Sequence, residues 1–137
     1  MAGFFSGCTD DQLRQAEIFA DLDDEALDSL RNHSLFIGAH PGMKVVEAGD
    51  TGFELYVVLA GEADVQKDGE KVARLGPGDT FGEMAILGGR VRNADVVAAS
   101  VMSIMSMTAS ALRKVTARYP QIEERLRQIA DQRTSTG

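Results

Sequence analysis

The chain has 137 residues, of which 44% are apolar, and its 21 acidic against 14 basic residues give a formal charge of −7. This length and composition fit one domain with a buried core and exclude a disordered chain. The acidic balance argues against binding nucleic acid or an anionic membrane through this chain, because both require a basic surface. A single cysteine excludes a disulfide framework.

Two sequence features that the chain lacks bear on its cellular location. No apolar run approaches the roughly 20 residues that span a bilayer. The first residues lack the charged start and long apolar middle of a secretion signal. Together with the cysteine usage, these features predict a cytoplasmic protein.

Helix signals dominate the start of the chain. Thr9 and Gln12 have the spacing of a capping box, which predicts a short helix after Thr9. Asp23 or Asp21 can cap a second helix. Its apolar residues share one face: Leu22, Ala26, Leu27 and Leu30. Helices are therefore expected within residues 9–32.

From residue 34 the hydrophobic pattern changes to short alternating runs separated by turn residues. Asp68-Gly69 supplies the two positions with positive φ that a tight hairpin needs. The residues Gly76-Pro77-Gly78-Asp79 predict another turn. Short strands at near-regular spacing predict an antiparallel jelly-roll barrel of about eight strands over residues 34–108. The fold class is thus mainly β with flanking helices.

Helix signals return after the last predicted strand. Thr108 or Ser110 can cap a helix, and Tyr119-Pro120 breaks it, with Pro120 suited to the first position of a second helix. These two C-terminal helices are expected over residues 109–131. Residues 132–137 lose all pattern and are expected to fray. Residues 1–137 are interpreted as a single domain.

The stretch with the clearest chemistry lies between Phe81 and Ala94. Gly82 and Glu83 open a short apolar helix, expected over residues 82–88, whose unpaired N–H groups and dipole favour an anion. Arg92 adds a planar fork of donors suited to phosphate oxygens. The Glu83 carboxylate only accepts hydrogen bonds and suits a hydroxyl. One phosphate beside one sugar hydroxyl describes a nucleotide with a compact phosphate.

At these residues the chain resembles the cyclic nucleotide-binding domain family. Its signature is present as Phe81-Gly82-Glu83-Met84-Ala85 followed by Arg92-Asn93-Ala94, with matching spacing. Glycines, an acidic residue and an aromatic upstream also fall where the family carries them: Gly49-Asp50, Tyr56, Gly61 and Gly76-Pro77-Gly78-Asp79. The resemblance covers about residues 18–129.

The resemblance implies a regulatory module that binds cAMP and leaves cGMP open. Arg92 would hold the phosphate and Glu83 the ribose 2′-hydroxyl. The apolar side chains expected to line the purine are Val72, Ala73 and Phe81. The full expected ligand set is Gly82, Glu83, Met84, Ala85, Arg92, Asn93, Ala94, Phe81, Val72 and Ala73. The C-terminal helices would pass the signal to an unknown effector protein or domain, and a homodimer stays open.

Two residues depart from the family pattern. Asn93 stands where the family usually has Ala, Ser or Thr, and so does not choose between cAMP and cGMP. Asp95 puts a carboxylate near the expected phosphate, which would weaken binding unless it points outward. These departures favour an alternative in which the fold is kept, nucleotide affinity is lost, and the module serves docking or dimerisation.

Other chemistries receive little support. The residues Met102, Met105 and Met107 are expected to fill the core. His33 and His40 are too few for a metal site on a jelly roll, so no metal is expected. Cys8 has no neighbour in sequence that would activate it. With no general base or nucleophile beside the motif, we expect binding without turnover. The acidic charge also argues against a DNA-binding factor of the catabolite-activator type.

Overall fold

The computed structural model describes residues 8–49, 54–81 and 94–136, with residues 130–136 described as backbone only. The helices of this part of the chain are α1 (Asp10–Arg14), α2 (Asp24–Asn32), α3 (Ala109–Arg118) and α4 (Pro120–Thr136), with a 3₁₀ turn at Glu17–Phe19. Among these residues, no helix is both long and apolar enough to cross a membrane.

Eight strands lie within the same described ranges. They are β1 (Leu35–Ala39), β2 (Lys44–Val46), β3 (Glu54–Ala60), β4 (Ala63–Lys67), β5 (Glu70–Leu75), β6 (Thr80–Phe81), β7 (Asp95–Ala98) and β8 (Met102–Thr108). They form two antiparallel sheets with strand orders β1-β8-β3-β6 and β2-β7-β4-β5. The predicted mainly β class with flanking helices is confirmed, although the two sheets do not close into a barrel.

The first sheet separates two cores. Along β3, Leu55 and Val57 pack with the helices, while Tyr56 and Val58 face the second sheet. This alternation follows from the two-residue period of a strand. Strand β8 behaves in the same way. The predicted core role of its methionines, Met102, Met105 and Met107, is confirmed by exposures of at most 2%. The molecule therefore has three layers: helices, first sheet and second sheet.

The predicted helix starts are present. Thr9 forms the complete capping box with Gln12. The Asp23 carboxylate accepts from the Ala26 N–H, and the Thr108 hydroxyl accepts from the Ala111 N–H. Of the paired alternatives, Asp23 and Thr108 are thus the caps.

The last helix is longer than expected. Helix α4 begins at Pro120, as predicted, but continues to Thr136 rather than ending near residue 131. No glycine or proline interrupts the sequence between Pro120 and Gly137, so nothing in these residues stops the backbone hydrogen-bond pattern.

Local irregularities set the strand register. The hairpin between β4 and β5 turns at Asp68 (φ 55°) and Gly69 (φ 81°), as predicted. A β-bulge then inserts Val72, because Val65 pairs with Ala73 while Gln66 pairs with Lys71. A second bulge lies in β2, where Lys44 pairs with Val97 but Val46 pairs with Val96.

Candidate functional site

Hydrogen bonds fix the turn at residues 76–79, which precedes the motif. The Gly76 N–H donates to Asp79 Oδ2 at 2.8 Å, which closes the turn. The Gly78 N–H donates to the Val58 carbonyl at 2.8 Å, and the Val58 N–H donates to the Asp79 carbonyl at 2.9 Å. These bonds fix the turn to the middle of β3, so the chain enters the motif from a defined position.

Gly78 also sets how closely this turn approaches the helical layer. Its φ is +90°, and a Cβ there would lie 2.5 Å from the backbone oxygen of Gln15. A non-glycine residue would therefore meet both backbone strain and a steric clash. The turn and the end of α1 are in contact only because residue 78 has no side chain.

Phe81 lies in the core between the sheets. It pairs with Tyr56 across β3 and β6, and the two rings stack at a centroid distance of 4.8 Å and an interplanar angle of 15°. Only 5% of Phe81 is exposed. A stacked aromatic pair contributes about 0.5–1.5 kcal/mol beyond its buried area. Phe81 therefore anchors the start of the motif in the core; its predicted contact with a purine stays a prediction.

The other two residues expected to line the base lie on strand β5. The bulge sets Val72 and Ala73 opposite Val65, whose side chain packs against the core between the sheets. Both remain exposed, and Val72 is 56% exposed. An exposed apolar pair beside a sheet core is compatible with a ligand surface.

Strand β7 begins directly after the motif. Ala94 is half-buried, and Val96 and Ala98 belong to the core between the sheets. Asp95 lies on the opposite face of the strand. Its Oδ1 accepts from the Ala48 N–H at 2.7 Å, and its Oδ2 lies 3.7 Å from Lys44 Nζ. The structure thus answers the question of direction that the sequence left open, since this carboxylate is engaged on the outer face.

The centre of the motif lies outside the described residues. This applies to the phosphate-binding helix expected over residues 82–88 and to six predicted ligand residues: Gly82, Glu83, Met84, Ala85, Arg92 and Asn93. Their roles stay predictions. The structure places the two ends of the motif, since Phe81 belongs to the first sheet and β7 to the second.

A buried carboxylate stabilises the strand that carries Val72 and Ala73. Asp64 is 7% exposed and lies directly opposite Arg74 in the β4–β5 pair. Arg74 Nη2 is 2.9 Å and Lys71 Nζ 3.3 Å from the Asp64 oxygens. Burial acts to raise the pKa of this carboxyl, but the hydrogen bonds from Arg74 and Lys71 outweigh burial and lower the pKa below its ordinary 3.8.

Sequence reasoning missed this cluster. Counting back from the hairpin with a regular register would pair Asp64 with Ala73. The inserted Val72 moves the partner to Arg74, so opposite charges face each other. The available signal was opposite charges in the two strands, Asp64 in β4 and Lys71 and Arg74 in β5, but the bulge concealed the pairing.

Within the helical layer, the C-terminal helices contact the N-terminal helical segment. Arg125 of α4 donates to the Glu17 carbonyl at 2.7 Å and pairs with Asp21. Arg118 of α3 pairs with Glu25. A cleft of about 360 Å³ lies where the layer meets the turn before the motif, lined by Gln15, Glu17, Pro77, Gly78, Asp79, Thr80 and Ile129. Residues of the helical layer and of this turn thus line the same cleft.

The lone cysteine and the histidines have structural surroundings. Cys8 is buried, and this burial raises the pKa of its thiol, although a hydrogen bond with Arg31 acts in the opposite direction. His33 Nδ1 lies 2.8 Å from the Ser29 carbonyl, and His40 Nδ1 lies 3.2 Å from that of Pro41.

The sequence of this chain is similar to a known family and to known proteins. A family model for the cyclic nucleotide-binding domain matches residues 39–119. The cAMP-dependent protein kinase regulatory subunit of Yarrowia lipolytica is 35% identical over 98 residues, which is 72% of this chain and 26% of that protein. The chain thus spans about a quarter of the length of this relative.

The fold is shared with several solved structures. The regulatory domain of Toxoplasma gondii PKA, crystallised with cAMP, superposes with a TM-score of 0.68 at 30% identity, covering 77% of this chain and 42% of that one. The Thermus thermophilus catabolite activator protein superposes with a TM-score of 0.81 at 25% identity, covering 88% of this chain and 59% of that one.

Proposed function

Because the chain belongs to the cyclic nucleotide-binding domain family, we propose that it is a regulatory module that binds cAMP and transmits binding through its C-terminal helices. One observation carries the proposal. The family match includes both halves of the motif, Phe81-Gly82-Glu83 and Arg92, and the described strands that flank them lie in two different sheets over a shared core.

The chemistry of the motif suits a cyclic phosphate. The Arg92 guanidinium and the N–H groups of a helix beginning at Gly82 would neutralise the phosphate. Glu83 would accept a hydrogen bond from the ribose 2′-hydroxyl. The exposed Val72 and Ala73 offer apolar surface for a base. The fungal relative is named a regulatory subunit, so we propose binding without catalysis.

The proposed preference for cAMP is supported by the ligands that the names of similar proteins give. The fungal relative is named cAMP-dependent, and the Toxoplasma gondii domain was crystallised with cAMP. Asn93 does not discriminate between purines by itself, so cGMP is the competing ligand.

The proposal that ligand binding is transmitted to a partner is supported by contacts of the helical layer. The turn at Gly78 touches Gln15, and Arg125 joins α4 to the segment that follows Gln15. A change at the motif would thus reach α4 through packed neighbours, as a two-state rearrangement requires. The fungal relative's name makes a protein kinase catalytic subunit one class of effector.

The direct test replaces the proposed phosphate ligand. Titration calorimetry with cAMP should give a dissociation constant at least tenfold weaker for Arg92→Ala, because a charge-assisted hydrogen bond contributes about 1.5–3 kcal/mol. Arg127→Ala is the matched control, since Arg127 is an exposed arginine paired with Glu123 on α4. Equal binding by the Arg92 variant and the wild type would refute the assigned site.

A second candidate function is a docking or dimerisation module without nucleotide affinity. Asn93 favours this second function because it departs from the family pattern. Asp95 gives it little support, because the Asp95 carboxylate is engaged by the Ala48 N–H and Lys44. Thermal unfolding with millimolar cAMP or cGMP separates the two functions. A ligand at about 100 times its dissociation constant adds roughly 2.7 kcal/mol of stability, whereas an unchanged midpoint with both nucleotides would favour the second function.

A further inference from the structure

Strand β1 is an edge of the first sheet that lacks the usual protection against pairing with another strand. Within the described residues, β1 pairs only with β8. It has five residues, keeps a regular register with β8 from Leu35 to Ala39, and contains no charged residue and no proline. We propose that this edge is the contact surface of a homodimer, in which β1 pairs antiparallel with β1 of a second copy of the chain.

The other sheet edges in the described part of the chain are protected. Strand β2 has three residues, with Lys44 and a bulge, and β6 has two residues. Strand β5 is longer, but it carries Glu70, Lys71 and Arg74 and is interrupted by the bulge at Val72. Short length, charge and bulges are the devices by which sheet edges avoid pairing with other chains. This contrast makes β1 the edge that is available for pairing.

The surroundings of β1 carry no charge. Leu35 is 69% exposed, although it is a large apolar side chain. No Asp, Glu, Lys or Arg occurs from residue 32 to residue 43, in a chain whose formal charge is −7. Because a large net charge keeps copies of a protein apart, two copies approach at least cost where neither presents a charge. A second copy therefore fits this edge better than a charged partner.

The sequence of β1 is complementary to itself in one register. Residues directly opposite each other in an antiparallel pair lie on the same face of the sheet. A two-fold axis at Ile37 pairs all five residues of the strand, with Leu35 opposite Ala39 and Phe36 opposite Gly38 of the second copy. Each of these pairs combines a large side chain with a small one. Such an interface is isologous and closed, so association should stop at the dimer.

Gly38 provides the space that this register needs. A Cβ at Gly38 would meet no atom within 4 Å, and the residue does not have positive φ. Neither the backbone conformation nor the packing of a single chain therefore requires glycine here. Phe36 lies on the same face and is half-buried against the core under the helices. In the proposed pair, Phe36 of each copy covers Gly38 of the other, a cross-strand pairing that stabilises glycines at sheet edges.

The proposed interface is small, because it is confined to one strand from each copy. Interfaces below about 1,200 Å² belong to weak and transient complexes. The dimer should therefore be in equilibrium with the monomer, with a dissociation constant of about 0.1–1 mM. The pairing uses no residue of the proposed ligand set, so it goes beyond nucleotide binding and does not depend on it.

Sedimentation equilibrium of the full chain from about 10 µM to about 1 mM tests the proposal. The average mass of the wild type should rise from that of a monomer towards that of a dimer and no further. Leu35→Lys should weaken dimerisation about tenfold or more, because pairing would remove water from a charge at the edge. Val101→Lys is the matched control and should dimerise like the wild type, since Val101 is 74% exposed and lies between β7 and β8.

Gly38→Val separates the proposed register from general apolar association. Valine favours strands, so unspecific association through β1 should become stronger. In the proposed register, the added side chain occupies the place of Phe36 from the second copy, so dimerisation should weaken about tenfold or more. Hydrogen exchange gives an independent readout: β1 amides of the wild type should exchange more slowly at high than at low protein concentration, whereas β5 amides should not change.

A wild type that stays monomeric at the highest concentration, or that grows beyond a dimer, would overturn the proposal. Equal dimerisation by Leu35→Lys and Val101→Lys, or undiminished dimerisation by Gly38→Val, would also overturn it. If Leu35→Lys does not fold, Gly38→Val and the exchange of β1 amides still decide the outcome. These measurements contain no nucleotide, so their failure is distinct from a failure of the proposed function, which calorimetry with Arg92→Ala tests.

Discussion

At the scale of single residues, Asp64 illustrates how a buried charge is retained on a sheet. Its carboxylate is nearly inaccessible, and the hydrogen bonds from Arg74 and Lys71 keep its pKa lowered. Removing one partner of such a cluster leaves an uncompensated charge, which is why buried ion pairs are more costly to break than to replace as a whole. The cluster also holds the edge strand β5, where Val72 and Ala73 lie.

The lowered pKa makes a prediction about pH. A carboxyl whose pKa is lower in the folded than in the unfolded protein stabilises the fold above its unfolded value, and the stabilisation disappears as pH falls through the folded value. Asp64→Asn should therefore lower the urea midpoint at pH 7, and the difference from the wild type should shrink as the pH falls below about 3.8.

Urea unfolding at pH 7 and near pH 3 checks this, with Glu124→Gln as a control on an exposed carboxylate of α4. A difference between Asp64→Asn and the wild type that is the same at both pH values would mean that the ion pairs are not its source.

At the scale of elements, the contact between the turn at residues 76–79 and α1 depends on the absence of a side chain. Gly78→Ala should destabilise the protein by about 2 kcal/mol or more, since positive φ alone costs about 1–3 kcal/mol and the clash with Gln15 adds to it. Gly42→Ala is a matched control, because Gly42 has φ +89° but open space around it. Chemical unfolding gives the free energy of unfolding of both variants.

The difference in free energy of unfolding between Gly78→Ala and Gly42→Ala measures the cost of the steric clash with Gln15. Gly76→Ala should be tolerated, because a Cβ at this residue would have no neighbouring atom within 4 Å. Equal destabilisation by Gly78→Ala and Gly42→Ala would indicate that the turn moves away from α1 at no cost, and the proposed route to the helical layer would lose its first contact.

At the scale of the whole molecule, two arginines of the C-terminal helices, which differ in exposure, contact the N-terminal helical segment. The Arg118 side chain is 66% exposed, whereas that of Arg125 is 31% exposed and also bonds the Glu17 carbonyl. Exposed ion pairs contribute roughly 0–1 kcal/mol. These arginines therefore test whether the α3 contact or the α4 contact holds the C-terminal helices to the N-terminal segment.

Arg125→Ala should cost about 1 kcal/mol of stability, and Arg118→Ala less than about 0.5 kcal/mol. Hydrogen exchange should show faster opening of the 3₁₀ turn at Glu17–Phe19 in Arg125→Ala alone. If both variants open this turn equally, the coupling runs through apolar packing rather than through the Arg125 contacts.

The sequence by itself determined the fold class, the helix start at Thr9, the hairpin at Asp68, and the family motif with its predicted chemistry. It narrowed two other helix caps to Asp21 or Asp23 and to Thr108 or Ser110, and the structure chose Asp23 and Thr108. Those features depend on local rules, namely strand alternation, capping, turn preference and motif spacing. The tertiary structure decided the bulges at Val45 and Val72, and with them the partners of Asp64 and Asp95. Local sequence rules cannot predict these bulges and pairings, because each depends on how strands from distant parts of the chain pack against a shared core.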